Sequence, residues 1–521
     1  MKKIRIYLLL ALFFAGVTGC TEWLDVNQDP NRLTTSTKDL VLTGAEKQFA
    51  ERQQLGGGFS LLGAWIGYYA HSGGWSGWNS VKTYNMTSSD YTGFFSPYLA
   101  ELKSLKYVEE QGVLDGNSAY VGIARIMRSA LFQRIVDTYG DVPYFEAIRG
   151  FEANTQPVYD DAQTIYNDLV VQLDSAIILL AQAEEASLTI ESKSDIINGG
   201  DITAWKQYAN TLKLRILLRQ SEIGDMSGKM NFDDAGFIES SITANPGYIA
   251  NQNGKMSPIY SFGKDYKGTL TAANQQYGLN IFLSTLYKES ADPRLQICWE
   301  PGVESGDYSW ATQLGNNAPP ESHWNNSAVR MSPGIYGESD GDVVVMSIME
   351  ADFLIAEALA RGYNLSSAGV AATAEEMFNK GIDDSFDYYG TRAGIEDIAA
   401  VLVLYRETLK GNAAWNAGNP VKSIMYQKYI AGVGVYHYEA WADYRRTGYP
   451  EPGDLAEGDP ETNSSMISHY SNIVRAQVPV RMLYIQKELD LNSDNVQAAI
   501  DKTGVAYNSE FIMDAKIFWD K

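Results

Sequence analysis

Apolar side chains recur every three or four residues along several stretches of this chain, the spacing that places them on one face of an α-helix. The first stretch starts near residue 118 and stops at Gly140, where Asp141-Val142-Pro143 cannot continue a helix. Later stretches begin after Asp160 and near Thr203. The apolar faces comprise Tyr120, Ile123, Met127, Ala130 and Ile135; Tyr166, Leu169, Leu173, Ile177 and Leu180; Trp205, Tyr208, Leu212 and Ile216; and Met349, Phe353, Ala356 and Ala360. The pattern predicts a mostly α protein.

The last of these helices has a predicted partner that runs through Phe378, Ile382 and Tyr389. The small side chains of Ala356 and Ala360 let the two helices approach closely, as in tetratricopeptide-like helical hairpins. No strict repeat of about 34 residues is visible, so we expect degenerate hairpins.

Two stretches do not follow the helical pattern. Residues 53–98 are rich in Gly, Ser, Trp and Tyr, and residues 245–345 carry Gly, Asn and Pro with scattered aromatic residues. Long irregular segments inside a compact domain are uncommon unless they serve a function. We therefore expect the functional site on these loops.

Composition excludes some classes of partner. The chain of 521 residues is 45% apolar and 20% charged, which is ordinary for a globular protein, and its net charge is −23. Such an acidic protein is unsuited to nucleic acid, whose phosphates require a basic face, or to anionic lipid. The 33 tyrosines and 11 tryptophans suit a surface built for recognition.

The first twenty residues read as an export signal. Three basic residues precede an apolar run at Ile6–Val17, which is too short to span a bilayer core of about 30 Å at about 1.5 Å per residue. Val17-Thr18-Gly19-Cys20 resembles the bacterial lipobox, whose cysteine becomes the acylated N-terminus. We found no other apolar stretch of membrane-spanning length, so the lipid is the one expected anchor.

This interpretation divides the chain into a signal peptide at 1–19, a lipidated arm at 20–40 and a single domain at 41–521. Loss of the signal takes three basic residues and changes the net charge from −23 to −26. With Cys20 acylated, Cys298 has no partner, and no internal disulfide is expected.

Motifs spread along the chain resemble those of the SusD/RagB family, in particular its second large subgroup. Each motif alone is weak, but their joint order is specific and covers the whole mature chain. They are Asp25-Val26-Asn27-Gln28-Asp29-Pro30-Asn31, Asp137-Thr138-Tyr139-Gly140-Asp141-Val142-Pro143-Tyr144, Trp205 with Ala209–Arg215, Asp292-Pro293-Arg294, Glu357-Ala358 with Arg361-Gly362, Gln427-Lys428-Tyr429, Glu439-Ala440-Trp441 and Tyr444–Pro450.

The resemblance implies an outer-membrane lipoprotein on the cell surface. It would cap a SusC-like TonB-dependent transporter and capture nutrients, usually glycans, for import. The implied fold is mostly α, with tetratricopeptide-like hairpins as a scaffold and irregular loops that carry the ligand.

A glycan site needs flat aromatic rings for the apolar faces of sugars, with fixed polar groups beside them for the hydroxyls. Candidates for ligand binding lie in both irregular stretches. The first group is Trp75, Trp78, Asn79 and Tyr84, and the second is Trp310, Trp324, Asn325, Asn326 and Tyr336. Glycines next to the first group would leave its rings exposed.

Catalytic, cofactor and metal sites find little support. The four histidines are isolated, and no nucleophile elbow, phosphate loop or metal-binding spacing occurs. We therefore predict no enzyme, no cofactor and no metal. The arginines expected to form ion pairs within the scaffold are Arg125, Arg128, Arg134, Arg445 and Arg446.

Three alternatives to glycan capture remain open. The protein could bind peptides through a groove with exposed backbone groups. It could be a secreted glycoside hydrolase, which would need two convergent carboxyl groups either about 5–5.5 Å or about 6.5–9.5 Å apart. It could also be a transporter lid whose own ligand site has decayed.

Overall fold

Helices account for most of the regular structure in the computed structural model. It describes residues 36–56, 58–71, 78–149, 155–303, 305–315, 329–453, 464–469, 477–505 and 512–521. The signal peptide, Cys20 and most of the predicted arm lie outside the described residues.

The described part of the chain contains nineteen α-helices. They are α1 Lys38–Leu55, α2 Leu61–Trp65, α3 Asn79–Thr83, α4 Ser96–Leu114, α5 Ser118–Tyr139, α6 Ala162–Glu185, α7 Ile202–Arg219, α8 Pro258–Gly263, α9 Ala272–Gln276, α10 Ile281–Glu289, α11 Arg294–Cys298, α12 Pro333–Tyr336, α13 Ile348–Ala360, α14 Ala374–Ala393, α15 Ile398–Thr408, α16 Pro420–Ala431, α17 His437–Thr447, α18 Gln486–Leu491 and α19 Ser493–Asp501. Short 3₁₀ helices lie at Thr92–Phe94, Ser227–Lys229, Ser366–Ala368, Gly411–Ala413 and Ile512–Asp514.

In the described ranges, six short strands form three antiparallel pairs. The strands are β1 Tyr69–His71, β2 Ile242–Ala244, β3 Tyr277–Leu279, β4 Trp299–Glu300, β5 Arg330–Met331 and β6 Val343–Met346. β1 pairs with β3, β2 with β6, and β4 with β5. Each pair therefore ties together segments that are distant in sequence.

The long helices pack in chain order as a stack of hairpins. α4 lies on α5, α5 on α6 and α6 on α7, and α7 then contacts α13, which packs on α14. Glycines let neighbouring helices approach closely: a Cβ on Gly122 would lie 2.9 Å from Leu180, and one on Gly381 would lie 2.9 Å from Phe353. The mostly α fold of hairpins predicted from the sequence is confirmed.

Helix α6 is the one described helix long and apolar enough to cross a membrane by length and composition. Our statement that no further stretch has that length and composition was therefore wrong. The physical reason is its place in the stack, where Leu169, Leu173 and Leu180 are fully buried against its neighbours. Asn167 and Asp174 lie exposed on its outer side. Val171 and Ile178 are exposed on the same side, so α6 is a helix of the stack with one buried and one exposed side.

Buried charges join α17 to the middle of the stack. Arg446 donates to both carboxylate oxygens of Glu357, and its Nη2 lies 2.9 Å from Oε2. It also donates to the carboxylate of Asp443 at 2.9 Å. Arg215 and Arg219 both face Glu439. Burial alone would raise the pKa of Glu439, but the combined positive charges of Arg215, Arg219, Arg134 and Lys428 outweigh it and lower that pKa to about 2.

Most of the predicted scaffold arginines do form ion pairs. Their partners are Glu109 for Arg125 and Arg128, Asp520 for Arg445, and Glu357 for Arg446. The prediction was wrong for Arg134, which donates at 2.9 Å to the carbonyls of Arg52 and Gln53. These carbonyls belong to the last turn of α1, and the Arg52 carbonyl also accepts the N–H of Gly56 at 3.1 Å.

Candidate functional site

Pairing of β1 with β3 brings the two irregular stretches of the sequence together. Tyr69, Ala70 and His71 lie opposite Leu279, Gly278 and Tyr277, respectively. The backbone of Thr312 then pairs with the segment directly after β3, through bonds to Leu279 and Ile281. Loops that are more than 200 residues apart along the chain thus meet on one face.

Four aromatic side chains form a continuous row across this face, and we call it the aromatic row. The ring centroid of Trp78 lies 4.6 Å from that of Tyr277, which lies 5.1 Å from Phe262. Phe262 in turn contacts Phe59 edge to face at 4.8 Å. Phe59 is buried, whereas Trp78, Tyr277 and Phe262 are half-buried and so retain exposed ring surface.

Polar groups stand beside the exposed end of the aromatic row. The His71 ring packs edge to face on Trp78 at 5.1 Å, and Nε2 of His71 lies 3.4 Å from Nε2 of Gln276. Asn79 follows Trp78 and is exposed at the start of α3. An amide and an imidazole next to a flat ring can bind hydroxyl groups of a ligand that stacks there.

The buried end of the aromatic row opens on the cleft, a cavity of about 750 Å³ between α1 and the 246–262 segment. Its apolar wall consists of Leu55, Phe59, Tyr248, Met256 and Phe262. Charged and hydroxyl side chains also line it, namely Lys47, Glu51, Lys255, Ser60 and Ser261. This mixture is typical of a pocket for a small organic ligand.

Glu51 is the one carboxylate among the described residues that line the cleft, and it already has two partners. Lys47 pairs with it at 2.6 Å, and the Tyr248 hydroxyl donates to it at 3.1 Å. Burial raises the pKa of Tyr248, and the Glu51 carboxylate raises it further, so the phenol stays protonated. A glycosidase pair of carboxyl groups is therefore not assembled by these lining residues.

His437 holds Phe59, which lines the cleft, in its position. Its Nδ1 lies 2.8 Å from the carbonyl oxygen of Phe59, and its Nε2 accepts the Gly434 N–H at 2.7 Å. The proton of the neutral ring therefore sits on Nδ1. Burial lowers the pKa of His437 to about 3, which keeps the ring neutral at ordinary pH. This locks the position of Phe59 at the buried end of the aromatic row.

Two of the predicted ligand residues lie at this site. Trp78 and Asn79 lie at its exposed end, and Trp310 is half-buried two residues before Thr312, which pairs next to β3. Trp75, Trp324, Asn325 and Asn326 lie outside the described residues.

The expectation for Tyr84 and Tyr336 needs correction, because a ring with no exposed face cannot stack on a sugar. Tyr84 is fully buried against Trp65, and its hydroxyl accepts the Ser468 N–H at 2.8 Å. Tyr336 is also buried, and a Cβ on Gly263 would lie 2.4 Å from its ring. Both rings pack the fold, and Tyr336 does so directly behind the wall that carries Phe262.

Sequence reasoning missed the aromatic residues that line the cleft and continue the row. Tyr248, Phe262 and Tyr277 all fall in the irregular stretch at 245–345, and Phe59 falls in the one at 53–98. Their position in those irregular stretches was the signal that could have identified them. The criterion of a tryptophan next to an amide side chain did not select them.

No group of three or more His, Cys, Asp or Glu side chains in the described ranges is arranged to hold a metal ion.

Comparison with known proteins supplies a family and a fold. The SusD-like family model described as "starch-binding associating with outer membrane" matches residues 30–484. No curated protein matches the chain.

Three solved structures illustrate the likeness. A SusD homologue from Bacteroides uniformis is 23% identical, with a TM-score of 0.71 over 92% of this chain and 99% of its own. A SusD homologue from Bacteroides fragilis is 20% identical, with a TM-score of 0.71 over 94% and 100%. A chitin-binding SusD homologue from Flavobacterium johnsoniae is 20% identical, with a TM-score of 0.66 over 92% and 98%.

Proposed function

Since the chain belongs to the SusD-like family of outer-membrane nutrient-binding proteins, we propose that it is a cell-surface lipoprotein that binds a glycan and delivers it to a SusC-like TonB-dependent transporter. The lipid on Cys20 holds it at the membrane, and the aromatic row and the cleft form the binding face.

The observation that carries the proposal is the aromatic row, with half-exposed Trp78 at one end and the cleft at the other. Sugar rings have apolar C–H faces that stack on flat aromatic rings, and their hydroxyls bind fixed polar groups. Trp78 supplies the flat aromatic ring, and the polar groups come from His71, Gln276 and Asn79.

The comparisons suggest which glycans to try first. The family description names starch, and the homologue from Flavobacterium johnsoniae is a chitin-binding protein. Both polymers present repeated six-membered rings of a size that suits the aromatic row. Maltooligosaccharides and chitooligosaccharides are therefore the probes of choice.

Replacing Trp78 with alanine is expected to weaken binding of the preferred oligosaccharide about 10- to 100-fold, because a buried aromatic anchor commonly carries a large share of an interface's affinity. Isothermal titration with maltohexaose and chitohexaose measures the effect. Phe145→Ala is the matched control, since Phe145 is 45% exposed and does not line the cleft.

Two results would contradict the proposal. Equal affinity of wild type and Trp78→Ala would remove the aromatic row from the binding site. Failure of both sugars, with binding of an unstructured peptide mixture to wild type, would instead favour peptide capture.

A further inference from the structure

Helix α1 buries a carboxyl group next to a second carboxyl group from the segment at 191–200. The side chain of Glu46 on α1 is fully buried, and that of Asp195 is 1% exposed. The two carboxyl groups lie within hydrogen-bond distance of each other. Among the described residues, the charged side chain that acts on Glu46 is therefore one of the same sign. Buried charges are normally paired with opposite ones, so this contact needs a physical account.

The Asp195 carboxylate is surrounded by N–H donors. Its Oδ1 accepts the backbone N–H groups of Ile197 at 3.1 Å and of Asn198 at 2.9 Å. Its Oδ2 accepts the backbone N–H of Gly200 at 2.9 Å and the indole N–H of Trp205 at 2.7 Å. Hydrogen bonds from N–H donors favour the ionised form of a carboxyl group. Asp195 therefore carries the negative charge of the pair.

Glu46 has fewer donors and carries the proton. Its Oε2 accepts the backbone N–H of Ile196 at 2.7 Å, whereas its Oε1 accepts no hydrogen bond from the described residues. Two buried carboxyl groups in contact cannot both ionise without strong repulsion. Burial raises the pKa of Glu46 well above its ordinary value, and the charge of Asp195 raises it further. A protonated Oε1 donates the hydrogen bond that joins the two groups.

We propose that Glu46 and Asp195 form a proton-dependent clasp, in which the shared proton holds the 191–200 segment on α1 and its loss at higher pH loosens that segment. A second contact at the same place does not depend on a proton, because the Thr43 hydroxyl donates to the carbonyl of Ser194 at 2.8 Å. The segment is therefore expected to open locally, with α1 still folded. This device is separate from ligand binding, since neither carboxyl group lines the cleft.

The charged groups around the clasp favour the protonated form. From α5, the Tyr120 phenol donates to Asp39 on α1 and also interacts with Glu191 and Asp195. Glu191 pairs with Lys193 at 2.7 Å, and both side chains are exposed to water. The group that α7 contributes is the neutral indole of Trp205. Asp39 and Glu191 add negative charge, which opposes ionisation of a further carboxyl group.

The direction of the pH dependence follows from the raised pKa of Glu46. The stability that its proton provides is fully present below the ordinary pKa of 4.5 and is lost as the pH rises through the folded-state pKa. Within this window, each pH unit lowers the equilibrium constant for folding by up to about tenfold, because unfolding releases one proton. Glu46→Gln keeps one donor and one acceptor at this position but does not titrate.

Urea unfolding of the full chain and of Glu46→Gln, from about pH 5 to about pH 8, tests the clasp. The wild type is expected to lose stability relative to the variant as the pH rises, and the ratio of the two folding constants should change at least about tenfold. Glu110→Gln is the matched control. Glu110 is exposed on α4, where it pairs with Lys106, so its ratio to wild type should stay within about twofold over the same range.

Hydrogen exchange of the wild type alone provides a test that does not need a folded variant. After correction for intrinsic exchange rates, protection of the amides at 196–200 is expected to fall by up to about tenfold per pH unit, while that of the buried amides of α6 stays constant. Infrared spectra give a direct view of the proton. At neutral pH, the difference between wild type and Glu46→Gln should contain the C=O band of a protonated carboxyl group.

A pH-independent ratio of wild type to Glu46→Gln would overturn the proposal. So would protection at 196–200 that does not change with pH, or a difference spectrum with the bands of an ionised carboxylate in place of the protonated group.

Discussion

Replacing Arg446 with methionine is expected to lower the free energy of unfolding by about 3–5 kcal/mol, the usual cost of breaking a buried ion pair by removing one partner. Arg446 is 1% exposed and donates to Glu357 and Asp443. Methionine keeps most of the volume but removes the cation that Glu357 and Asp443 share, so that Glu357 keeps Arg361 and Asp443 keeps Lys428 and Arg219 as buried partners. Urea unfolding of wild type and variant measures the difference.

Lys106→Met is the control for this prediction. Lys106 pairs with Glu110 on the outer side of α4, where both side chains are partly exposed. An exposed pair of this kind contributes about 0.2–1 kcal/mol, so the variant should unfold close to wild type. Similar small losses in both variants would show that the Arg446 network does not hold α17 to the stack.

Replacing Cys20 with alanine is expected to abolish lipid attachment completely and to release the protein from the membrane fraction. Each buried CH₂ of an acyl chain contributes about 0.8 kcal/mol to anchoring, and loss of the acylated cysteine removes that contribution. Incorporation of labelled fatty acid, followed by fractionation of cell membranes, measures both effects.

Cys298→Ala is the matched control, because Cys298 is the other cysteine and is buried in α11. It should keep the label and stay in the membrane fraction. If Cys20→Ala still carried labelled fatty acid, the lipobox interpretation would be wrong. If it lost the label but stayed in the membrane, another segment would be the anchor, and α6 would be the first to test.

The helices could be predicted from the sequence because their signals are local. The pattern that starts near 118 and stops at Gly140 corresponds to α5, which spans Ser118–Tyr139. The stretch predicted from about Thr203 to Arg219 is α7, at Ile202–Arg219. Periodic apolar faces and glycine stops act over a few residues, so one sequence suffices to read them.

The site could be predicted less well because loop aromatics have no period that shows which way they face. Trp78 and Tyr84 flank the short helix α3, yet Tyr84 points into the core while Trp78 keeps an exposed surface. What decides between them is the pairing of β1 with β3, a contact between residues about 200 positions apart. The aromatic row appears only once that contact forms.

The motifs that carry the family resemblance belong mainly to the buried scaffold. Arg294 donates to Asp292 at 3.0 Å and to Gln427 at 2.7 Å, and Lys428 pairs with Asp443 at 2.8 Å. These groups must stay matched to keep buried charges paired, whatever the protein binds. They identify the family and the fold, and they carry no information about the ligand.

The most direct test of the proposed function is a crystal structure of the protein with chitohexaose or maltohexaose bound. The prediction is a sugar ring stacked on the Trp78 indole within about 4 Å, with the rest of the chain directed along Tyr277 and Phe262 toward the cleft. An oligosaccharide bound on another face of the molecule, with the aromatic row empty, would contradict it.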